Sequence, residues 1–170
     1  MDFFEAASKR HSYRDAFTDQ PVPEEDIRKI LEAAIQAPSG WNLQSTNFIV
    51  VTDPEQIAAI NEVIPMEAVA SAKTIIATVT QHIEADGFSF EVEDYGIACA
   101  YIMLGVTSLG YATVCLDGDV QEGDNREKLA KILGAPEGST VRAIFPIGVP
   151  AKEPAASPRK AYEDRVTAAK

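Results

Sequence analysis

Apolar positions recur at helical spacing in some stretches of this chain and run continuously in others, and that contrast divides it into elements. Ile27, Ile30, Leu31 and Ala34 fall at helical intervals behind the acidic Glu24-Glu25-Asp26, which predicts an amphipathic helix over Pro23–Ala37. Asn47–Thr52 reads as a strand. Asp53 as cap and Pro54 at the first helical position start another helix, with Ile57, Ile60 and Ile64 on its apolar stripe. Thr74–Thr80 is a further strand. From Tyr95 to Leu116 no charged residue occurs. Gly110 divides this run into a buried helix of about 15 residues and a strand at the β-prone Tyr111–Val114. The polar Asp117–Asp124 reads as a loop. A helix then begins at Asn125 and stops at Gly134, and Val141–Ile147 is the last strand. Helices separate successive strands throughout, so the pattern alone predicts a parallel α/β sheet.

The charge-free run is long enough to span a membrane. Its richness in Gly, Ala, Ser and Thr, its flanking acids and the Gly110 stop favour a buried helix and strand instead. With 170 residues and 46% apolar content, residues 1–170 are expected to form one domain. Pro150–Pro158 is rich in Pro and Ala, so 150–170 is expected to be an extended C-terminal tail. A formal charge of −11 argues against nucleic acid or an anionic membrane as partner. Cys99 and Cys115 are isolated in apolar surroundings and are expected to be buried free thiols, not a disulfide or a metal site. Met1-Asp2-Phe3-Phe4-Glu5 lacks the basic start of a secretory signal, so a cytoplasmic location is the expectation. No GxGxxG, Walker A or HExxH sequence occurs.

Two short segments carry the candidate chemistry. In Arg10-His11-Ser12-Tyr13-Arg14, an extended backbone would project Arg10, Ser12 and Arg14 to one side. Two guanidiniums and a hydroxyl suit a phosphate dianion. In Ala37-Pro38-Ser39-Gly40-Trp41-Asn42-Leu43-Gln44, Pro38 should stop the preceding helix, and Gly40 would let backbone approach a ligand closely. Asn42 and Gln44 repeat the alternate spacing, and amides that both donate and accept match the mixed edge of a heteroaromatic ring. The same residues also admit a plainer reading. Lys9 and Arg10 could be cations favoured by the end of a first helix, and Ser12 could cap the next element of the chain.

These two segments in this order, with Phe48-Ile49-Val50-Val51 behind the second and Gly148-Val149-Pro150-Ala151 near the end, resemble the FMN-dependent nitroreductase family. The resemblance runs over nearly the whole chain. It implies an α+β fold with a mixed, largely antiparallel sheet flanked by helices, and a homodimer with FMN at the subunit interface. It assigns Arg10 and Ser12, with His11 nearby, to the phosphate end of the cofactor and Arg14 to the pyrimidine side of its ring. Pro38, Ser39, Gly40 and Asn42 would line the cofactor from the other subunit, and Arg159 with Lys160 would close over the phosphate; Gln44 joins the cofactor-binding candidates on its amide alone. The chain departs from many members in having Ser45-Thr46 where they have Pro-Trp, and in its shorter C-terminal arm. The implied activity is electron transfer from NAD(P)H through FMN to a nitroaromatic or quinone-like acceptor by a ping-pong mechanism. A flavin-binding carrier or redox sensor without turnover, and a purely structural dimerisation domain, are the alternatives.

Overall fold

The structure, a computed structural model, describes residues 1–169, so Lys170 at the end of the expected tail lies outside the described residues. Helix α1 (Phe3–Lys9) is capped by the Asp2 carboxylate, which accepts the Glu5 N–H at 2.9 Å. Helix α2 (Glu24–Ile35) buries Ile27, Ile30 and Ala34 along the predicted stripe. Strand β1 (Thr46–Val51) leads to α3 (Pro54–Val63), where Asp53 accepts the Glu55 N–H and Pro54 occupies the first turn as expected. A short helix α4 (Glu67–Ser71), which the apolar pattern did not announce, precedes β2 (Thr74–Gln81).

The charge-free run begins within α5 (Glu91–Ser108), which is longer than expected because the acidic Glu91, Glu93 and Asp94 form its first turn. Acidic side chains are favoured at that end of a helix. No helix among the described residues is long and apolar enough to cross a membrane. The strand expected at Tyr111–Val114 shortens to β3 (Ala112–Thr113), and the expected loop contains the single helical turn α6 (Gly118–Gln121). Helix α7 (Asn125–Leu133) ends at Gly134, whose φ of 60° and ψ of 37° place it in the left-handed conformation that glycine adopts without steric cost. Strand β4 (Ser139–Gly148) completes the sheet.

The pattern's parallel sheet is not what forms. The strands lie in the order β1-β2-β4-β3, and every strand pair is antiparallel, where the family resemblance implied a mixed, largely antiparallel sheet. The one parallel element is an isolated bridge between Ser12 and Thr113. Intervening helices dictate parallel pairing only when a single helix carries the chain back across the sheet. Between β1 and β2 there are two, α3 and α4, and the chain re-enters the sheet at the end it left.

Helices cover both faces of the sheet. Ile75, Ala77 and Val79 of β2 pack toward Ile57, Ile60, Val69 and Leu129, while Ile76 packs with Ile30, Ile102 and Phe145 on the other side. Burial on both faces explains why β2 reads as a continuous apolar and threonine run without alternation. Cys99 is buried and Cys115 partly buried, and both are free thiols.

Candidate functional site

Arg10 caps the C-terminal end of α1 with an extended ψ of 117°, and the chain leaves the helix as a single extended segment. Ser12 bridges Thr113, and the Tyr13 N–H donates to the Thr113 carbonyl at 2.9 Å. Tyr13 is buried with its ring tilted against Phe17, and its hydroxyl donates to the Ala16 carbonyl at 2.7 Å while accepting the Lys152 N–H at 3.3 Å. Because Tyr13 points inward, its neighbours Ser12 and Arg14 point outward, and both are exposed. The expected alternation therefore holds. Ser12 caps no helix, since the next one begins at Glu24.

This chain has 26 acidic side chains against 15 basic ones, and half of its described Lys and Arg side chains pair with a carboxylate. Lys9 pairs with Glu5 at 2.8 Å, Lys152 with Asp15 at 3.3 Å and Lys73 with Asp19 at 3.3 Å. Among the described residues, Arg10 and Arg14 have no carboxylate partner, and the two acids nearest Arg14 in sequence are already engaged. His11, half-buried, lines a cavity of about 290 Å³ with Lys9, Tyr111 and Pro150. Arg159 and Lys160 are exposed on the irregular tail, which is tied to the domain at its root through Lys152 and Pro150.

The second segment folds as a tight loop around a 3₁₀ turn at Gly40–Asn42. Trp41, Asn42 and Gln44 adopt φ of 50°, 58° and 52°, each in the left-handed region where a side chain is strained. Such residues cost of order 1 to 3 kcal/mol apiece and persist only where their surroundings over-determine them. Here one carboxylate supplies much of that determination. Asp94, in the first turn of α5 and buried, accepts the Gly40 N–H on Oδ1 and the Ser45 hydroxyl on Oδ2, both at 2.8 Å. Hydrogen bonds to a charged group contribute about 1.5 to 3 kcal/mol each, comparable with the strain they oppose. Within the loop, Ser39 Oγ accepts the Gln44 N–H at 3.0 Å.

Gly40 was expected to let backbone approach a ligand closely, and on the side where a side chain would stand its neighbour is the protein itself. A Cβ there would lie 2.2 Å from Cγ of Phe90, so the space is filled by a phenyl ring of the protein itself. Trp41 and Phe88 stand beside Phe90 with ring centroids 5.8 Å and 6.3 Å from neighbours in the group, and both are largely exposed.

Pro38, Ser39 and Gln44 line a cavity of about 280 Å³ with Thr46, Asn47 and Asp94. Thr46 Oγ1 is the only buried side-chain oxygen or nitrogen without a hydrogen-bond partner among the described residues. Ala34, Ile35, Phe48 and Ala98 add apolar lining, so the cavity is of mixed polarity, and an orphaned hydroxyl beside the exposed Gln44 amide suits a ring with a polar edge; Asn42, also exposed, does not line it. This cavity and the one lined by His11 share no residue. Arg10, Ser12 and Arg14 line neither of the two, so the candidate residues fall into two groups on different segments.

Residues 7–74 and 64–149 match the model of the nitroreductase family. The chain belongs to the nitroreductase family. An NADH dehydrogenase of Thermus thermophilus is 30% identical over 183 residues, with 90% of this chain and 89% of that protein covered. A crystal structure of a nitroreductase family protein from Clostridium novyi superposes with a TM-score of 0.79 at 27% identity, covering 92% of this chain and 89% of that one. A protein named NADPH:FMN oxidoreductase, from Vibrio harveyi, shares the fold with a TM-score of 0.84 at 24% identity, covering 99% of this chain and 77% of that one. Within this nitroreductase-family chain, sequence reading missed Asp94 and Ser45. No local signal marks them, because Asp94 meets Gly40 across 54 positions and looks like any acidic residue opening a helix.

Proposed function

We propose that the protein is an FMN-dependent oxidoreductase that passes electrons from NAD(P)H to a nitroaromatic or quinone-like acceptor by a ping-pong mechanism, as a homodimer with cofactor at the interface. The observation that carries this reading is the division of the candidate residues into two groups, each incomplete alone. One group presents the unpaired Arg10 and Arg14 with Ser12 between them, a set of donors for a phosphate and for negative charge on a ring. The other presents the exposed amides of Asn42 and Gln44, with Pro38, Ser39 and Gln44 lining a cavity of mixed polarity and Gly40 in the adjoining turn. A second copy of the chain would bring one group to the other. His11, Arg159 and Lys160 would add to the phosphate end.

An apolar groove supports the second copy. Phe3, Ala33, Ala100, Tyr101, Leu104 and Gly105 line an apolar groove between α1, α2 and α5, with Phe3 64% exposed. Obligate dimers bury more than roughly 2,000 Å² in total, and an apolar helix face of this kind is what they bury. Bound FMN would supply the transfer of hydride and electrons, the protein's part being to hold it and set its surroundings. Arg14 would stabilise the negative charge that reduction adds. Protons are assigned to solvent.

The test is direct. Purified protein should carry or take up FMN, run as a dimer in light scattering, and lose its flavin absorbance within seconds when mixed anaerobically with NADH or NADPH. Protein that binds no FMN would refute the reading, flavin that stays oxidised over many minutes would make it a carrier, and a monomer that holds FMN would remove the shared site.

A further inference from the structure

We infer that Asp94 is a positioning residue for this site: its buried carboxylate ties down both ends of the Gly40–Ser45 segment and so sets how Asn42 and Gln44 are presented to the cofactor. The clamp is a property of the structure, while the ligand it serves is that of the proposed function, on which this part of the inference rests.

The bonds of the loop fall into two kinds. Ser39 Oγ with the Gln44 N–H, at 3.0 Å, and the Gln44 side-chain amide with the Asn42 carbonyl, at 3.4 Å, hold the loop's shape but attach it to nothing. Attachment comes from Asp94, which holds Gly40 and Ser45 at 2.8 Å, from the Gln81 N–H donated to the Ser45 carbonyl at 3.0 Å, and from the Phe90 ring packed on Gly40. Of these only Asp94 reaches both ends. It stands on α5, the longest helix, whose Ile102 and Val106 are wholly buried, so the reference frame is rigid. Its own N–H is donated to the Phe90 carbonyl at 2.8 Å, which fixes clamp and ring together. Both donors need an acceptor. Asn in place of Asp keeps the size but offers one oxygen and one NH₂ group, so one end of the loop must meet a donor where it had an acceptor.

Trp41 is the only tryptophan in the chain and lies between the two tethers, so its fluorescence reports the loop without any flavin. In Asp94→Asn, acrylamide should quench Trp41 more strongly, FMN should bind about tenfold more weakly or worse, and the visible bands of bound flavin should shift, while far-UV circular dichroism stays as in wild type. Ser45→Ala removes one donor of the two and should move each readout the same way by less. A merely structural Asp94 would lower the melting temperature and leave Trp41 quenching and the flavin spectrum unchanged, which would overturn the inference. Altered quenching with unaltered FMN affinity and spectrum would also overturn it. If wild type binds no FMN yet Asp94→Asn still releases Trp41, the clamp stands and the cofactor reading fails. Should Asp94→Asn not fold, Ser45→Ala decides, and wild-type quenching and affinity in that variant refute the clamp.

Discussion

Gly40→Ala tests whether the loop is shaped by the protein or by space kept for a ligand. The new methyl would lie 2.2 Å from Phe90 Cγ, 2.4 Å from Cδ2 and 2.7 Å from Cβ, all inside contact distance. Phe90 cannot swing away freely, because it immediately precedes α5 and its carbonyl holds the Asp94 N–H at 2.8 Å. Overpacking of this kind costs about 1 to 3 kcal/mol, and displacing Phe90 also disturbs the Asp94 tether. Urea unfolding followed by far-UV circular dichroism should show a loss in that range. Phe90→Ala alone removes a half-buried ring and destabilises too, but it vacates the space the methyl needs. The double variant should therefore be more stable than the sum of the single losses predicts, with a coupling of about 1 kcal/mol or more. A Gly40→Ala variant within about 0.5 kcal/mol of wild type, or strictly additive losses, would refute the steric account.

Three further outcomes are expected from the site and its surroundings. Arg10→Ala should weaken FMN binding by about 1.5 to 3 kcal/mol, the worth of a hydrogen bond to a charged group, with the fold intact; unchanged affinity removes Arg10 from the site. Arg14→Gln should lower the two-electron potential and slow reduction by NAD(P)H, with a smaller effect on oxidised FMN affinity than Arg10→Ala, and equal potentials in spectroelectrochemical titration would leave Arg14 without an electronic role. Burial raises the Glu91 carboxyl, but hydrogen bonds from Ser89 and His82 and the charge of Arg142 hold it below its ordinary 4.5. A folded pKa below the unfolded one gives stability that is present above about pH 4.5 and lost as pH falls through the lowered value. Glu91→Gln should flatten the acid side of the melting profile, and a mutant profile parallel to wild type there would refute it.

Features set by neighbours in sequence were legible. Asp53-Pro54 starts α3 and Gly134 stops α7, because a cap needs only the backbone groups next to it. The outward turn of Ser12 and Arg14 around Tyr13 follows from strand geometry alone. Strand partners were not legible, since β2 pairs with β4 across more than fifty residues and the pairing direction is set by where the chain re-enters the sheet. The same distance hid Asp94 from Gly40. The left-handed Trp41 and Gln44 contradict their local preferences and exist because distant groups hold them, which residue type alone does not reveal.

Strand β2 has a consequence for the order in which the molecule comes apart. It is hydrogen-bonded on both edges, to β1 and β4, and its residues Thr74–Thr80 are buried, so its amides should exchange with solvent only through global opening. Its last residue, Gln81, donates its N–H to Ser45 at the foot of the loop. The segment that carries Asn42 and Gln44 is thus rooted at the exposed end of the strand expected to exchange most slowly. Its exposed tip can fluctuate on a far shorter timescale than the base from which it springs.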